Sequence, residues 1–280
     1  MSESLHSLAA LKRHIATLDR APATRPCARF ASGHAGLDAQ LGGGLARGRL
    51  HELFGEGADG ASAAGLALLW GRQASGPAPL LWLRTRAAGQ AGGHPYGPGL
   101  AALGIDPARL LLGVMADDAM LLRAAADALR CPALGAVLIE LRGRAPLLDL
   151  TASRRLALAA EGSGVGAIIL RIDAQPVPSA AETRWQVAAA PSAPLPGNAP
   201  GHSCFTLTLL RRRAGPDGLS WQLMWDGDSG TFGDAGDERH HDHGQRREDD
   251  GHAPLSGALL PLPADRPAAD GARRSLGGRG

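Results

Sequence analysis

Apolar and polar residues alternate along this chain in blocks that read by turns as strands and helices. Leu50–Phe54, Pro79–Arg84, Leu110–Val114, Ala136–Leu141 and Val165–Ile172 are apolar runs of strand length. Between them, Ser62–Ala74, Asp117–Arg130 and Thr151–Glu161 have helical character. Asp117 or Asp118 stands where it would cap the second helix. A glycine-rich loop over 87–99 and a short helix ending at Leu103 precede the third strand. Continuous apolar strands separated by helices predict a mostly parallel sheet with helices on both faces.

The pattern changes after Ile172. Arg184–Ala189, Cys204–Arg213 and Ser220–Trp225 are strand-like, and Pro216-Asp217-Gly218 is a turn joining the last two. These runs predict antiparallel edge strands at the C-terminal side of the sheet. At the other end, Leu5, Leu8, Leu11, Ile15 and Leu18 recur at spacings of three and four, which predicts an amphipathic helix over 4–20. Pro22 and Pro26 then break it, so Leu8, Leu11, Ile15 and Leu18 read as the apolar stripe of an oligomerisation or partner-binding arm. From Gly227 to Gly280 no period is visible, and disorder is expected there, with Leu255–Pro263 as its apolar island. The expected organisation is a helical arm and linker over 1–27, one α/β domain over 28–226, and a disordered tail over 227–280.

Composition narrows the chemistry. The 280 residues include 39 glycines and 20 prolines, and Lys12 is the sole lysine. No apolar run is long enough to span a bilayer and the N-terminal segment is amphipathic, so a cytoplasmic protein without membrane contact is expected. Cys27, Cys131 and Cys204 are odd in number and lack metal-ligand spacing; no metal is expected. The formal net charge of +2 divides into a basic body and an acidic tail after Asp226. That balance permits contact with DNA without requiring it. Arg142 and Arg144, after the fourth strand, and Arg211, Arg212 and Arg213, on a late strand, are the candidate DNA or partner contacts; solvated arginines are the competing reading.

One motif carries a nucleotide-binding shape. Gly55-Glu56-Gly57-Ala58-Asp59-Gly60-Ala61-Ser62 follows an apolar strand and opens a helix, with the glycine, four-residue, glycine spacing of a phosphate-binding loop. Such a loop needs a lysine after its second glycine to reach the β- and γ-phosphates. Ala61 stands there instead, while Ser62 is retained. A plain strand-to-helix turn, with glycines serving only close packing, is the other reading of these residues.

Several stretches together resemble a family. Ser32-Gly33, Leu41-Gly42-Gly43-Gly44-Leu45 and Leu53-Phe54-Gly55 are similar to the lead-in to the phosphate loop of RecA-type recombinases. Leu103–Leu111 resembles the approach to a later strand of that fold. The Leu50-His51-Glu52-Leu53 entry, the degenerate loop, Thr183–Ser192 and the Leu209–Arg213 strand followed by Trp221–Trp225 resemble the inducible mutagenesis protein A (ImuA) family, a degenerate branch of the RecA-like P-loop proteins. The resemblance spans roughly residues 5–226. It implies a RecA-like domain.

The resemblance also marks where catalytic groups belong. A RecA-type ATPase needs a loop lysine, a glutamate after the next strand to activate water, and an acid ending the Walker B strand. Here the first is Ala61, and the second position holds Arg84-Thr85-Arg86. The Walker B-like acid survives as Glu140, and Arg171 stands where a sensor glutamine is expected. A lost charge-assisted phosphate contact is worth roughly 1.5–3 kcal/mol. Loss of one transition-state group costs about 10³-fold in rate. Turnover near background is therefore expected, with no catalytic residue and no cofactor.

By resemblance, the function would be that of a non-catalytic accessory protein of SOS-induced, error-prone translesion DNA synthesis. Its implied partners are an ImuB-like Y-family polymerase homologue, an error-prone C-family DNA polymerase and, additionally, RecA. The competing readings are a divergent RecA-type ATPase of recombination, with Ser62 and Glu140 holding Mg²⁺, and a SulA-like cell-division inhibitor.

Overall fold

The computed structural model describes residues 28–195 and 199–235; the expected arm over 1–27 and the tail beyond Ala235 lie outside the described residues. A small ladder opens the fold: β1 (Arg29–Phe30) pairs antiparallel with β2 (Leu45–Ala46) around helix α1 (Ala35–Leu41). The next elements are β3 (Leu50–Gly55), α2 (Gly60–Ser75), β4 (Leu80–Thr85), α3 (Arg86–Gly92) and α4 (Gly97–Ala102). Then come β5 (Leu110–Met115), α5 (Asp118–Ala128), β6 (Ala136–Arg142), α6 (Leu150–Ser163) and β7 (Gly166–Ile172). The last four strands are β8 (Thr183–Ala189), β9 (Cys204–Arg212), β10 (Ser220–Asp226) and β11 (Thr231–Asp234).

Nine of these strands form one sheet among the described residues, in the order β11-β10-β9-β8-β3-β7-β6-β4-β5. Every pairing from β8 through β3 to β5 is parallel, which agrees with the apolar blocks of the sequence. β8 is a correction to the expected antiparallel set: it pairs parallel with β3, and the antiparallel ladders begin at β8/β9. The strand alternation sends apolar residues to both faces. Leu53, Leu138, Ile168 and Leu170 meet Leu66, Leu69 and Trp70 of α2 on one face. Val137, Ile139 and Ile169 meet Leu121 of α5 and Leu156 of α6 on the other.

The sheet also runs past the expected domain end at residue 226. β11 pairs antiparallel with β10, opposing Phe232 to Trp225. Phe232 is buried, with ring centroids 4.7 Å from Trp225 and 5.9 Å from Phe205. Phe232 is anchored further by its N–H donating to Gly33 O at 2.7 Å, and Asp234 lies 3.2 Å from His34. The folded body therefore reaches Asp234, and residues 227–235 are not part of a disordered tail. The tryptophans belong to the same core. Trp70 and Trp185 meet edge-on at 5.3 Å, and Trp221 lies 5.9 Å from Trp185.

Two helices were not expected from the pattern. α1 starts where the His34 imidazole accepts from Leu37 N at 3.1 Å, and it stops at Gly42, whose φ of 76° is a left-handed conformation suited to glycine. α3 lies inside the predicted loop 87–99. Thr85 Oγ1 caps it by accepting from Ala88 N at 3.1 Å.

Candidate functional site

The degenerate loop lies where its sequence placed it, between β3 and α2, but its groups are turned to internal partners. After Gly55 the chain makes a tight turn over Gly57–Asp59, with Gly57 at φ 52°, before entering α2. Gly55 is a steric requirement, since a Cβ there would stand 2.6 Å from Ala63 Cβ, and a Cβ on Gly60 would make a tight 3.1 Å contact with Ile172 Cγ2. Both glycines lie at the close approach of β3, α2 and β7. The Gly57 N–H donates to Asp173 Oδ1 at 2.7 Å, so a carboxylate already occupies a donor of the loop. Asp173 follows β7, sits at φ 55°, and its own N–H donates to Gly55 O at 2.9 Å. Asp59 ties the other side, accepting from Ala189 N at 2.8 Å. Ala61 is exposed and Ser62 half-buried.

In front of the loop is a cleft of about 280 Å³, lined by Gly57, Ala61, Trp82, Arg84, Glu140 and Arg142 among others. Its floor is built from alternate residues of β4 and β6, which point to the α2 side of the sheet. Glu140 is 2 % exposed, and both its oxygens are engaged. Oε1 accepts from Arg84 Nη2 at 3.2 Å, with Arg142 Nη1 at 3.7 Å. Oε2 accepts from Trp82 Nε1 at 3.2 Å, and Arg84 Nε lies 3.1 Å away without hydrogen-bond alignment. Arg84 also donates to Gly93 O at 2.7 Å and Ala88 O at 2.8 Å, and its guanidinium carbon lies 4.9 Å from the Trp82 ring centroid. The backbone of α3 and the turn after it thus close over the arginine. Burial pushes the Glu140 carboxyl above its ordinary range, and Arg84 and Arg142 pull it back. Arg142 also reaches Asp173 Oδ2 at 3.6 Å, which links the cleft floor to the loop.

Chemically, this arrangement is self-neutralised. The acid that would hold Mg²⁺ in a P-loop ATPase faces two guanidinium groups. One of them, Arg84, belongs to the stretch where the family resemblance leads one to expect a water-activating glutamate. Asp173, Trp82 and the direct Arg84–Glu140 pairing were not picked out from the sequence. The sheet register that brings the ends of β4, β6 and β7 together is the missing information.

Arg171, where the resemblance leads one to expect a sensor glutamine, faces away from this cleft. It pairs in register with Leu141, whose side chain belongs to the α6 side of the sheet. Its Nη2 donates to Gly143 O at 3.1 Å and Arg144 O at 3.4 Å, holding the turn after β6. The two family-like stretches meet as neighbouring strands, the Glu52 pair on that same face and the His51 pair on the opposite, α2 face. His51 opposes Thr183 and Glu52 opposes Arg184. Arg184 Nε lies 3.0 Å from Glu52 Oε2, which also accepts from Ser179 Oγ at 2.8 Å. Burial pushes the Glu52 carboxyl up against the pull of Ser179, Arg184 and Arg171. His51 Nε2 is 2.9 Å from Ala46 O, an acceptor, so Nε2 carries the proton and Nδ1 accepts from Thr183 Oγ1 at 2.7 Å. Burial lowers its pKa to about 4, so it is neutral. These motif residues hold β3 to β8 inside the fold.

The arginines named from the sequence do not form one surface. Arg142 ends β6, opposite Ile172, beside the loop. Arg212 opposes Thr183, which in turn opposes His51 at the start of β3. The two groups therefore sit at opposite ends of the sheet, with β7, β3 and β8 between their strands. Arg144, Arg211 and Arg213 are exposed, while Arg212 Nη1 donates to Gln40 O at 2.9 Å. Leu8, Leu11, Ile15 and Leu18 lie outside the described residues. Among the described residues no group of three or more metal-ligating side chains converges, and no helix is long and apolar enough to cross a membrane.

No protein-family model matches the chain. Among solved structures, the crystal structure of the RadB recombinase matches 71% of this chain and 96% of that one at 18% identity, with a TM-score of 0.48. Protein ImuA of Caulobacter vibrioides, in strains NA1000/CB15N and ATCC 19089/CIP 103742/CB 15, is 33% identical over 199 residues, covering 65% of this chain and 77% of that protein. At that identity and coverage, with the matching stretches paired in one sheet, the chain belongs to the ImuA family.

Proposed function

We propose that this protein is a non-enzymatic accessory factor of damage-induced, error-prone translesion synthesis. In this reading it works through contacts with a Y-family-like polymerase homologue and an error-prone C-family polymerase, and RecA is a further partner. Family membership supports the pathway. The observation that supports the non-enzymatic part is the buried Arg84–Glu140 pair: the acid that the sequence suggests as Walker B-like is already engaged by an arginine. A nucleotide-driven mechanism would have to break that pair and displace Asp173 from Gly57 N. The cytoplasm, where those polymerases act, is the compartment this role requires.

Calorimetric titration of the full chain with the purified Y-family-like homologue tests the partner assignment. Binding that is indifferent to ATP is expected. No measurable binding, with both proteins folded, contradicts the assignment. The ATPase reading would gain if ATP changed that affinity tenfold or more. The Arg84–Glu140 pair gives no foothold for such a change.

A further inference from the structure

The far edge of the sheet is built in a way that free edges in folded proteins avoid. β5 is the terminal strand, bonded only to β4, and among the described residues nothing pairs with its outer side. Leu110–Met115 carries no charge, no proline and no bulge, the usual devices that keep an edge from pairing. Leu111, Leu112 and Val114 are 48%, 40% and 51% exposed, so both faces of the strand, as well as its edge, present apolar surface.

The ends of the strand carry opposite charges. Arg109 precedes it and Asp117 follows it by two residues, and both are exposed. In the single chain Arg109 Nη2 donates to Ala78 O at 3.1 Å and to Gly76 O in the approach to β4, and Asp117 Oδ1 accepts from Met120 N at 2.8 Å; cross-pairing would turn the Arg109 side chain to the free edge and use the second oxygen of Asp117. A two-fold axis normal to the sheet keeps each face of the strand on its own side, so an antiparallel self-pairing must oppose residues of the same face. Centred on Gly113, that register opposes Leu112 to Val114 and Leu111 to Met115. It also sets Arg109 of each copy against Asp117 of the other. Each exposed apolar side chain gains an apolar cross-strand neighbour, and two unlike charges face each other twice.

We propose that β5 pairs antiparallel with β5 of a second copy of this chain, extending the sheet across a two-fold dimer. The apolar, unguarded edge supplies the backbone donors and acceptors, and the Arg109–Asp117 pairs set the register. This goes beyond the proposed role in mutagenesis and does not depend on it.

Sedimentation velocity of the full chain over a concentration series tests the proposal, with circular dichroism melts as the folding control. The mass should rise from one chain to two. Val114→Lys, at an exposed position, should leave a folded monomer. Arg109→Glu and Asp117→Arg should each weaken the dimer about tenfold, and the double charge swap should restore it. A protein that stays monomeric throughout the series overturns the proposal. So does a dimer indifferent to Val114→Lys and to the charge swap. A dimer lost on deleting residues 1–27, but unchanged by the β5 variants, assigns self-association to the arm and overturns it as well.

Discussion

Arg84 and Glu140 stand on neighbouring strands with their charged ends 3.2 Å apart, and each side chain is only 3% exposed. A buried pair of this kind costs much more to break than it contributes by forming. Glu140→Leu leaves a guanidinium that cannot shed its proton in a dry site. It should destabilise the fold by about 3–5 kcal/mol in urea unfolding.

Arg84→Met should be milder and pH-dependent. Glu140, left with Trp82 and the more distant Arg142 and already pushed up by burial, can take a proton. A carboxyl whose folded pKa lies above its unfolded value stabilises at low pH and loses that contribution as pH rises through the folded pKa. The deficit of Arg84→Met relative to the parent should therefore widen from mildly acidic to neutral pH. A constant deficit would place the cost in lost packing on Trp82 instead.

His51 gives the opposite sign. Its pKa falls from 6.5 to about 4 on folding, so the unfolded chain binds the extra proton between those values. Stability should rise with pH across that window, by on the order of 3 kcal/mol from this residue alone. Glu52 and Glu140, both raised, act against it, so the comparison must be made against a variant. His51→Gln should show a flatter stability curve between pH 4 and 6.5 than the parent. Parallel curves would contradict the neutral, buried assignment.

Truncations locate the end of the domain. A chain ending at Asp226 loses Phe232 from the faces of Trp225 and Phe205, and a buried Phe is worth about 3–5 kcal/mol. A chain ending at Ala235 should melt like the full protein and bind the polymerase homologue within a few-fold. Binding abolished by that second truncation would move recognition to the segment around Leu255–Pro263. Deleting residues 1–22 should leave the core's melting temperature unchanged while weakening partner binding. A loss of several degrees would make that segment part of the core.

The sequence disclosed the parallel body because runs such as Ala136–Leu141 and Val165–Ile172, buried on both faces, have no polar alternation. It disclosed the absent lysine at Ala61 for the same local reason. It did not disclose what took the lysine's place. The Arg84–Glu140 and Gly57–Asp173 contacts join residues 56 and 116 positions apart, and only strand order brings them together. β8 was misplaced because its residues alternate polar and apolar like an antiparallel strand, although its partner on one side is the parallel β3. β11 is not legible in the sequence because, besides one buried ring, its hold on the sheet comes from backbone bonds to β10 and Gly33 and the Asp234–His34 contact, none of which has a local signal.

The most direct test of the account is steady-state ATP hydrolysis by the purified full chain, with and without single-stranded DNA, beside its Ser62→Ala and Glu140→Gln variants. Background rates are expected for all three, unchanged by DNA, with no gain on Ala61→Lys. A DNA-stimulated rate that disappears in Ser62→Ala or Glu140→Gln would contradict it.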